Sequence, residues 1–358
     1  MKLTDGFTAF RVDASAALGG GHVTRCLALA GCLREQGIPS LFICAKTRGG
    51  MVSEIRGMGW PVEVVNIQAN CDQIRDAAET IGVLQNTGCK PGFVVVDKYG
   101  LEAVWERALR PACQGLLVID DLADRVHDCD ILLDPNLYPD LNNRYKGKVR
   151  LGCRQLLGPE YLPLRPDFNR ERAKVEPRRS VRNLFVFFGS SDSFGVTPEA
   201  LRAIRELPLS RIDVVAGAAN PRLSEIKAMV AEMPAAELLV QAEGIASLMA
   251  RADLALGACG YASYERCVLG LPAITVSSNE NEEEFGRYMH ELGCLMHLGR
   301  AGTVSAKDLN KAVLTLAGDE QSLQDMSARG MGLIGACGLS KVVEVMLTVL
   351  ADKSRRKQ

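Results

Sequence analysis

Residues 165–182 read RPDFNRERAKVEPRRSVR, and this stretch divides the chain. It carries two prolines and a dense run of charge with hardly any large apolar side chain, the composition of a linker. On either side of it the sequence repeats one rhythm: a short apolar run, a small-residue turn, an amphipathic helix. Before it, strands are expected at 7–12, 40–45, 62–65, 93–96, 115–119 and 131–133, with helices at 23–36, 72–85 and 101–109. After it, strands are expected at 184–188, 212–215, 237–240, 254–256 and 273–276, with helices between them and an apolar helix over 341–350. Thr197-Pro198-Glu199 reads as a helix start with proline at the first helical position. Short, wholly apolar strands alternating with helices imply parallel sheets covered on both faces. The expected fold class is α/β: two Rossmann-like, doubly wound domains facing each other across a cleft. The first spans 1–165 and the second 183–338, joined by a linker at 166–182, with a C-terminal helix and tail over 339–358.

Composition removes several classes of function. Lys and Arg total 42 against 43 Asp and Glu, a net charge of −1 in 358 residues. A chain whose main partner is nucleic acid or an anionic membrane surface would need an excess of positive charge. With 47% hydrophobic and 24% charged residues the chain is not a disordered one. By this reading no apolar run reaches bilayer-spanning length. Met1-Lys2-Leu3-Thr4-Asp5-Gly6 also lacks the apolar core of a signal peptide, so a cytoplasmic location is expected. The twelve cysteines form no C-x-x-C pair, and reduced, scattered thiols are expected. His127-Asp128-Cys129-Asp130 has metal-ligand residue types, but consecutive residues on a strand alternate faces and cannot converge on one ion. No metal and no cofactor are expected.

Ligands of open parallel sheets bind beyond the carboxyl ends of the strands, so the informative residues should follow strands. The first strand ends in Arg11-Val12 and is followed by Asp13, then Gly19-Gly20-Gly21-His22-Val23-Thr24-Arg25. Neither the G-x-G-x-x-G fingerprint nor a P-loop fits, because position 24 is threonine and no Gly-Lys-Ser/Thr follows. The glycines would let a substrate approach the backbone. His22, in the first turn of a helix, sits where the positive helix end opposes a second positive charge, and is expected to accept a proton. The competing reading is a glycine turn with a capping histidine. Asp97 and Tyr99 follow the strongest strand of the first half and could hold sugar hydroxyls or orient water, or Asp97 could simply cap the next helix.

In the second half, Gly189-Ser190-Ser191-Asp192 and Gly260-Tyr261-Ala262-Ser263-Tyr264-Glu265 are small-residue loops leading from strand to helix. Such loops present free N–H groups to phosphate oxygens, with Glu265 placed to accept from a ribose diol. Ser263 as an N-cap and Glu265 on the helix dipole are the plainer alternatives. Asp120-Asp121 with Asp124 reads as a turn and solvated helix start, and the acidic run 280–284 as a solvated helix face.

Taken in order, RVDAS, GGGHVTRCLALA, VVDKYG, VIDDLADRVHDCDILLDPNL, LLGPEYLPLRPDF, VFFGSSD and YERCVLGLP resemble the UDP-2,4-diacetamido-2,4,6-trideoxy-β-L-altropyranose hydrolases of pseudaminic acid biosynthesis. That resemblance covers most of 11–272. It implies the GT-B fold, shared with the lipid-linked N-acetylglucosaminyltransferase of peptidoglycan synthesis. It also implies hydrolysis of a UDP-activated deoxy-acetamido sugar with inversion at the anomeric carbon. On it His22 takes the catalytic base position, and Asp97 and Tyr99 lie near the reacting sugar. Arg11, Asp13, Gly20, Gly21 and Arg25 line the substrate side. Gly189, Ser190, Ser191, Asp192, Gly260, Ser263, Glu265 and Asn281 contact the nucleotide. The implied partner is a small-molecule UDP-sugar, met by a monomer without nucleic acid or membrane. The chain departs from the family in its second half: Gly-Ser-Ser-Asp stands for Gly-Gly-Ser-Asp, and 335–338 replaces an Asp-Gly-x-Gly element. The expected asparagine is either Asn279 or Asn281. A glycosyltransferase of the same fold and a catalytically weakened nucleotide-sugar binder are the alternative readings.

Overall fold

A computed structural model describes residues 3–13, 21–46, 51–67, 72–189, 191–335 and 338–355. The chain divides into two compact units. Unit 1 comprises Met1–Arg165 with Cys337–Gln358, and unit 2 is Pro166–Ala336.

Unit 1 is built on a seven-stranded, wholly parallel sheet. Its strands are β1 (Thr8–Val12), β2 (Ser40–Ala45), β3 (Val62–Val65), β4 (Phe93–Asp97), β5 (Gly115–Ile119), β6 (Ile131–Asp134) and β7 (Arg154–Leu157), in spatial order 3-2-1-4-5-6-7. The order reverses between β1 and β4, whose register pairs Val12 with Asp97 at their carboxyl ends. One face packs Phe10, Val12, Phe93 and Val95 under the helix Gly21–Glu35 and the C-terminal helix Gly338–Arg355. The other packs Ala9, Val94, Val96 and Leu116 with Ala77, Leu84 and Trp105 from the helices Gln73–Asn86 and Ala103–Leu109. Adjacent residues of one strand therefore serve opposite helical layers.

Unit 2 repeats the plan with six parallel strands: β8 (Asn183–Phe187), β9 (Arg211–Ala216), β10 (Ala236–Val240), β11 (Leu254–Ala258), β12 (Ala273–Ser277) and β13 (Met296–Arg300), in order 10-9-8-11-12-13. Here the order reverses between β8 and β11, where Gly257 pairs with Phe187. Two strands not expected from the sequence, β7 and β13, each lie at one edge of their sheet, opposite the expected edge strands β3 and β10. RQLL and MHLGR carry polar residues because an edge strand has one neighbour and less surface to bury.

Three expectations need correction. The charged stretch 166–182 is no free linker: Pro166–Arg172 is helical with Phe168 buried, and Arg178 is buried among four main-chain carbonyls of unit 2. The terminal helix is part of unit 1, with Leu339, Val342, Val343, Met346 and Val349 in its core. Glu320–Arg355 also contains an 18-residue window of mean hydropathy 1.8, long and apolar enough by composition to cross a bilayer. The core face of Gly338–Arg355 accounts for much of that apolarity.

Candidate functional site

His22 is the second residue of the helix Gly21–Glu35. Its Nδ1 lies 2.6 Å from Oδ1 of Asp97, the last residue of β4, and its side chain keeps 12% exposure. Asp97 is buried. It also accepts from Arg25 Nε through Oδ2 at 2.6 Å and from Arg25 Nη2 through Oδ1 at 2.7 Å, a two-pronged contact. His22 and Arg25 stand three positions apart, so both project from one face of the helix onto the same carboxylate. Burial by itself would raise the Asp97 carboxyl. The charge and hydrogen bonds of Arg25, with the hydrogen bond from His22, outweigh it and hold the group below the usual carboxylate range.

An ionised carboxylate on Nδ1 fixes the imidazole tautomer with its proton on Nδ1, which leaves the Nε2 lone pair as acceptor. Tyr99 packs edge-on against the ring, centroids 4.8 Å apart at 89°. Its hydroxyl donates to Asp121 Oδ1 at 2.9 Å, and Arg25 Nη1 reaches Asp121 Oδ2 at 3.1 Å. Burial, then the neighbouring Asp121 charge, push the Tyr99 phenol upward, so it acts as a donor and not as a base. The sequence reading placed Asp121 in a solvated turn. Here it ties Tyr99 to Arg25. Its neighbour Asp120 is fully buried, accepting from Ala123 N and Tyr145 Oη.

Arg11 and Asp13 have a different role from the one expected. Arg11 has no exposed surface. It donates to Asp76 (Nε–Oδ1 3.0 Å, Nη2–Oδ2 2.6 Å) and to Asp13 (Nη1–Oδ1 2.5 Å). Lys98 Nζ donates to Asp76 at 2.8 Å, and Trp105 Nε1 does so at 2.9 Å. Two cations and two carboxylates thus neutralise each other in a closed network, with the Asp76 carboxyl lowered to about 2 because Arg11 and Lys98 overcome the effect of burial. Arg11 offers no donor to a ligand; its register on β1 turns it toward the Gln73–Asn86 layer, away from His22. Lys98 follows Asp97 directly in sequence, so consecutive side chains enter separate charge networks on opposite faces of the sheet. Gly21 opens the His22 helix, and Gly20 lies outside the described residues.

The residues of the metal-like tetrad are also committed elsewhere. His127 Nδ1 pairs with Glu106 Oε1 at 2.6 Å, Asp128 with Arg110, and Asp130 with Lys353, while Cys129 Sγ lies 3.6 Å from Cys153 Sγ.

In unit 2 a cavity of about 210 Å³ opens at the carboxyl ends of β8, β11 and β12, lined among others by Gly189, Ser191, Asp192, Ala258, Ser278 and Glu282. Gly189 takes φ +91°, a left-handed conformation that favours glycine. Ser190 lies outside the described residues. The Asp192 carboxylate is engaged within the chain: Oδ1 accepts from Val196 N at 2.9 Å and Oδ2 from Thr197 N at 2.8 Å, which caps the helix Val196–Ile204. The helix thus begins at Val196, two residues before the proline that the sequence places at its first position, and Asp192 supplies its cap.

Ser263 is likewise buried, its Oγ accepting from Arg266 Nη2 at 2.9 Å, while Gly260 precedes the helix Tyr261–Val268 that carries the half-buried Glu265. Asn279 caps the helix Glu280–Glu291 by accepting from Glu282 N, and Asn281 is exposed on that helix. Glu282, read as part of a solvated face, instead turns back to accept from Ser278 N and Oγ at 2.7 and 2.6 Å.

No protein-family model matches the chain. Among curated proteins it is 27% identical over 241 residues to the UDP-2,4-diacetamido-2,4,6-trideoxy-β-L-altropyranose hydrolase of Campylobacter jejuni, covering 67% of this chain and 80% of that protein. It is 24% identical over 284 residues to an uncharacterized protein of Methanocaldococcus jannaschii, covering 77% of this chain. It is 24% identical over 213 residues to the spore coat polysaccharide biosynthesis protein SpsG of Bacillus subtilis, covering 59% of this chain. The matches span only 56% of the archaeal protein and 62% of the spore coat protein. Among solved structures, MurG of Acinetobacter baumannii superposes with a TM-score of 0.66 at 16% identity, covering 96% of this chain and 99% of that one. The UDP-GlcNAc 2-epimerase of Neisseria meningitidis, bound to UDP-GlcNAc, gives 0.62 at 12% identity, covering 96% and 100%. The fold is GT-B, two parallel α/β sheets of seven and six strands.

Proposed function

We propose that the chain hydrolyses a UDP-activated deoxy-acetamido sugar with inversion at the anomeric carbon, His22 acting as the base. The observation that carries this reading is the His22–Asp97 pair: a carboxylate on Nδ1 at 2.6 Å and a ring that keeps access to solvent. In the proposed step Nε2 takes a proton from water as the water oxygen bonds to the anomeric carbon. The carbon–oxygen bond to UDP breaks with its electron pair leaving on the diphosphate. Asp97 stabilises the imidazolium that forms, and Arg25 keeps Asp97 ionised and in place. The small-residue loops at the carboxyl ends of β8 and β11 supply the nucleotide contacts in this reading. The 27% identity to the Campylobacter hydrolase supports the choice of substrate class and of water as the acceptor.

NMR of a panel of UDP-sugars incubated with the chain and no added acceptor tests it. UDP release with the free sugar appearing first as the inverted anomer is the expected result. Release that requires an added sugar or lipid hydroxyl would instead make the chain a transferase. Tight UDP binding without turnover would leave only a nucleotide-sugar binder.

A further inference from the structure

Four arginines among the described residues are buried, and in three of them every guanidinium nitrogen has a hydrogen-bond partner. Arg11 meets Asp13 and Asp76, Arg25 meets Asp97 and Asp121, and Arg178 gives its hydrogens to four main-chain carbonyls. Arg266, in the helix Tyr261–Val268, is the exception. At 1% exposure it uses only Nη2, which donates to Ala258 O at 2.7 Å and Ser263 Oγ at 2.9 Å. Its Nε and Nη1 have no partner among the described residues. Burial pulls the guanidinium below the ordinary arginine value, and the nearby Cys259, Cys267 and Glu265 offset it only in part.

The place of this unmatched charge is specific. Ala258 and Ser263 flank the turn that leads from β11 into the helix, and Ala258 also lines the 210 Å³ cavity. Gly257 makes room for the guanidinium: a Cβ there would lie 2.5 Å from Nη1 and 2.7 Å from Phe187 O. The charge thus sits beneath the carboxyl ends of β8 and β11, where the strand order reverses. Glu282 stands on the other side of the turn, its Oε1 3.7 Å from where a Gly260 Cβ would be, so an anion arriving there needs a compensating positive field.

We propose that Arg266 is a positioning residue for the diphosphate of a nucleoside diphosphate: the anion settles on the 258–263 turn, and its charge balances the guanidinium beneath it. The role is electrostatic and indirect. Arg266 shapes the turn through Ala258 O and Ser263 Oγ and adds its charge to the N–H groups that receive the phosphates. The inference rests on the reading of unit 2 as the nucleotide site.

The test is calorimetric titration of the full chain, wild type, Arg266→Met and Arg266→Lys, with UDP, inorganic pyrophosphate and uridine, beside thermal melting without ligand. Arg266→Met should weaken UDP and pyrophosphate by about tenfold or more while uridine is unaffected, and Arg266→Lys should stay within a few-fold of wild type. Ligand-free Arg266→Met should melt at or above the wild-type temperature, because an unbalanced buried charge has been removed. A lower melting temperature, or failure to fold, would make Arg266 a structural brace and overturn the proposal. Unchanged UDP affinity in a folded Arg266→Met overturns it too, while leaving the nucleotide reading intact. A wild type that binds neither UDP nor pyrophosphate removes the nucleotide reading and this inference together.

Discussion

Tyr99 and His22 meet edge to face with their ring centroids 4.8 Å apart, and the Tyr99 hydroxyl is anchored to Asp121 at 2.9 Å. The ring limits the swing of the imidazole, and the hydroxyl limits the swing of the ring. Tyr99→Phe, which keeps the ring, should lower kcat by no more than about tenfold, whereas Tyr99→Ala should cost about a hundredfold, the scale on which loose positioning penalises a reaction. Steady-state kinetics on the preferred UDP-sugar measure both. Equal losses would show that the ring does not hold His22.

His22→Ala should bind UDP as wild type does and lose at least about two orders of magnitude in turnover, the usual weight of a positioned base. Asp97→Asn should fall by about 10²–10⁴, since an amide oriented by Arg25 no longer enforces the Nδ1–H tautomer. Turnover and UDP affinity measured side by side separate loss of the base from loss of the site. Near-normal turnover in His22→Ala would leave that residue a helix cap.

Asp192→Ala should destabilise unit 2 by about 1–2 kcal/mol, because two N–H groups of the helix Val196–Ile204 lose their acceptor. Urea unfolding with and without UDP reads the effect. A stability unchanged from wild type, combined with weakened UDP binding, would return Asp192 to the ligand-contact role.

His127 links stability to pH. Burial would lower its pKa, but Asp120 and Glu106 overcome that and raise it to about 9 from 6.5. A group whose folded pKa is raised stabilises the fold fully below the unfolded value, here pH 6.5. The contribution then fades as pH climbs through about 9. The shift corresponds to about 3 kcal/mol at its upper limit. Melting curves from pH 6 to 10 should show this decline in wild type, and His127→Gln should be less stable at pH 6 with a flatter profile. Parallel profiles for the two proteins would place the pH sensitivity elsewhere.

Strand and helix positions were readable wherever the apolar pattern was strong, as at Phe93-Val94-Val95-Val96, where burial on both faces demands continuous hydrophobicity. The edge strands β7 and β13 escaped because their composition is that of a surface. His22 and Tyr99 were singled out from their places near strand ends and Arg25 through the family resemblance; the fold brings all three to Asp97, which is buried behind His22 and does not face solvent as a group holding sugar hydroxyls would. Asp121 was not, because its significance depends on β5 ending beside β4, a neighbour relation that no local pattern encodes. Arg11 and Asp13 were misassigned for a related reason. A place at the end of a strand does not tell which helical layer will cover that face, and Arg11, within β1, faces Asp76, 65 residues away in sequence. Arg266 was invisible from sequence, since only the packed structure shows a buried guanidinium whose Nε and Nη1 have no partner among the described residues.

The alternation of Asp97 and Lys98 makes β4 a frame in which a single-residue slip would be fatal twice over. A deletion within 93–96 would hand the histidine an ammonium for a partner and thrust a carboxylate among the acids that brace the opposite layer. Folding in the correct frame and assembling the His22–Asp97 pair are thus one event in this strand. Mutations that loosen its pairing should abolish turnover and collapse the unit at the same dose of denaturant.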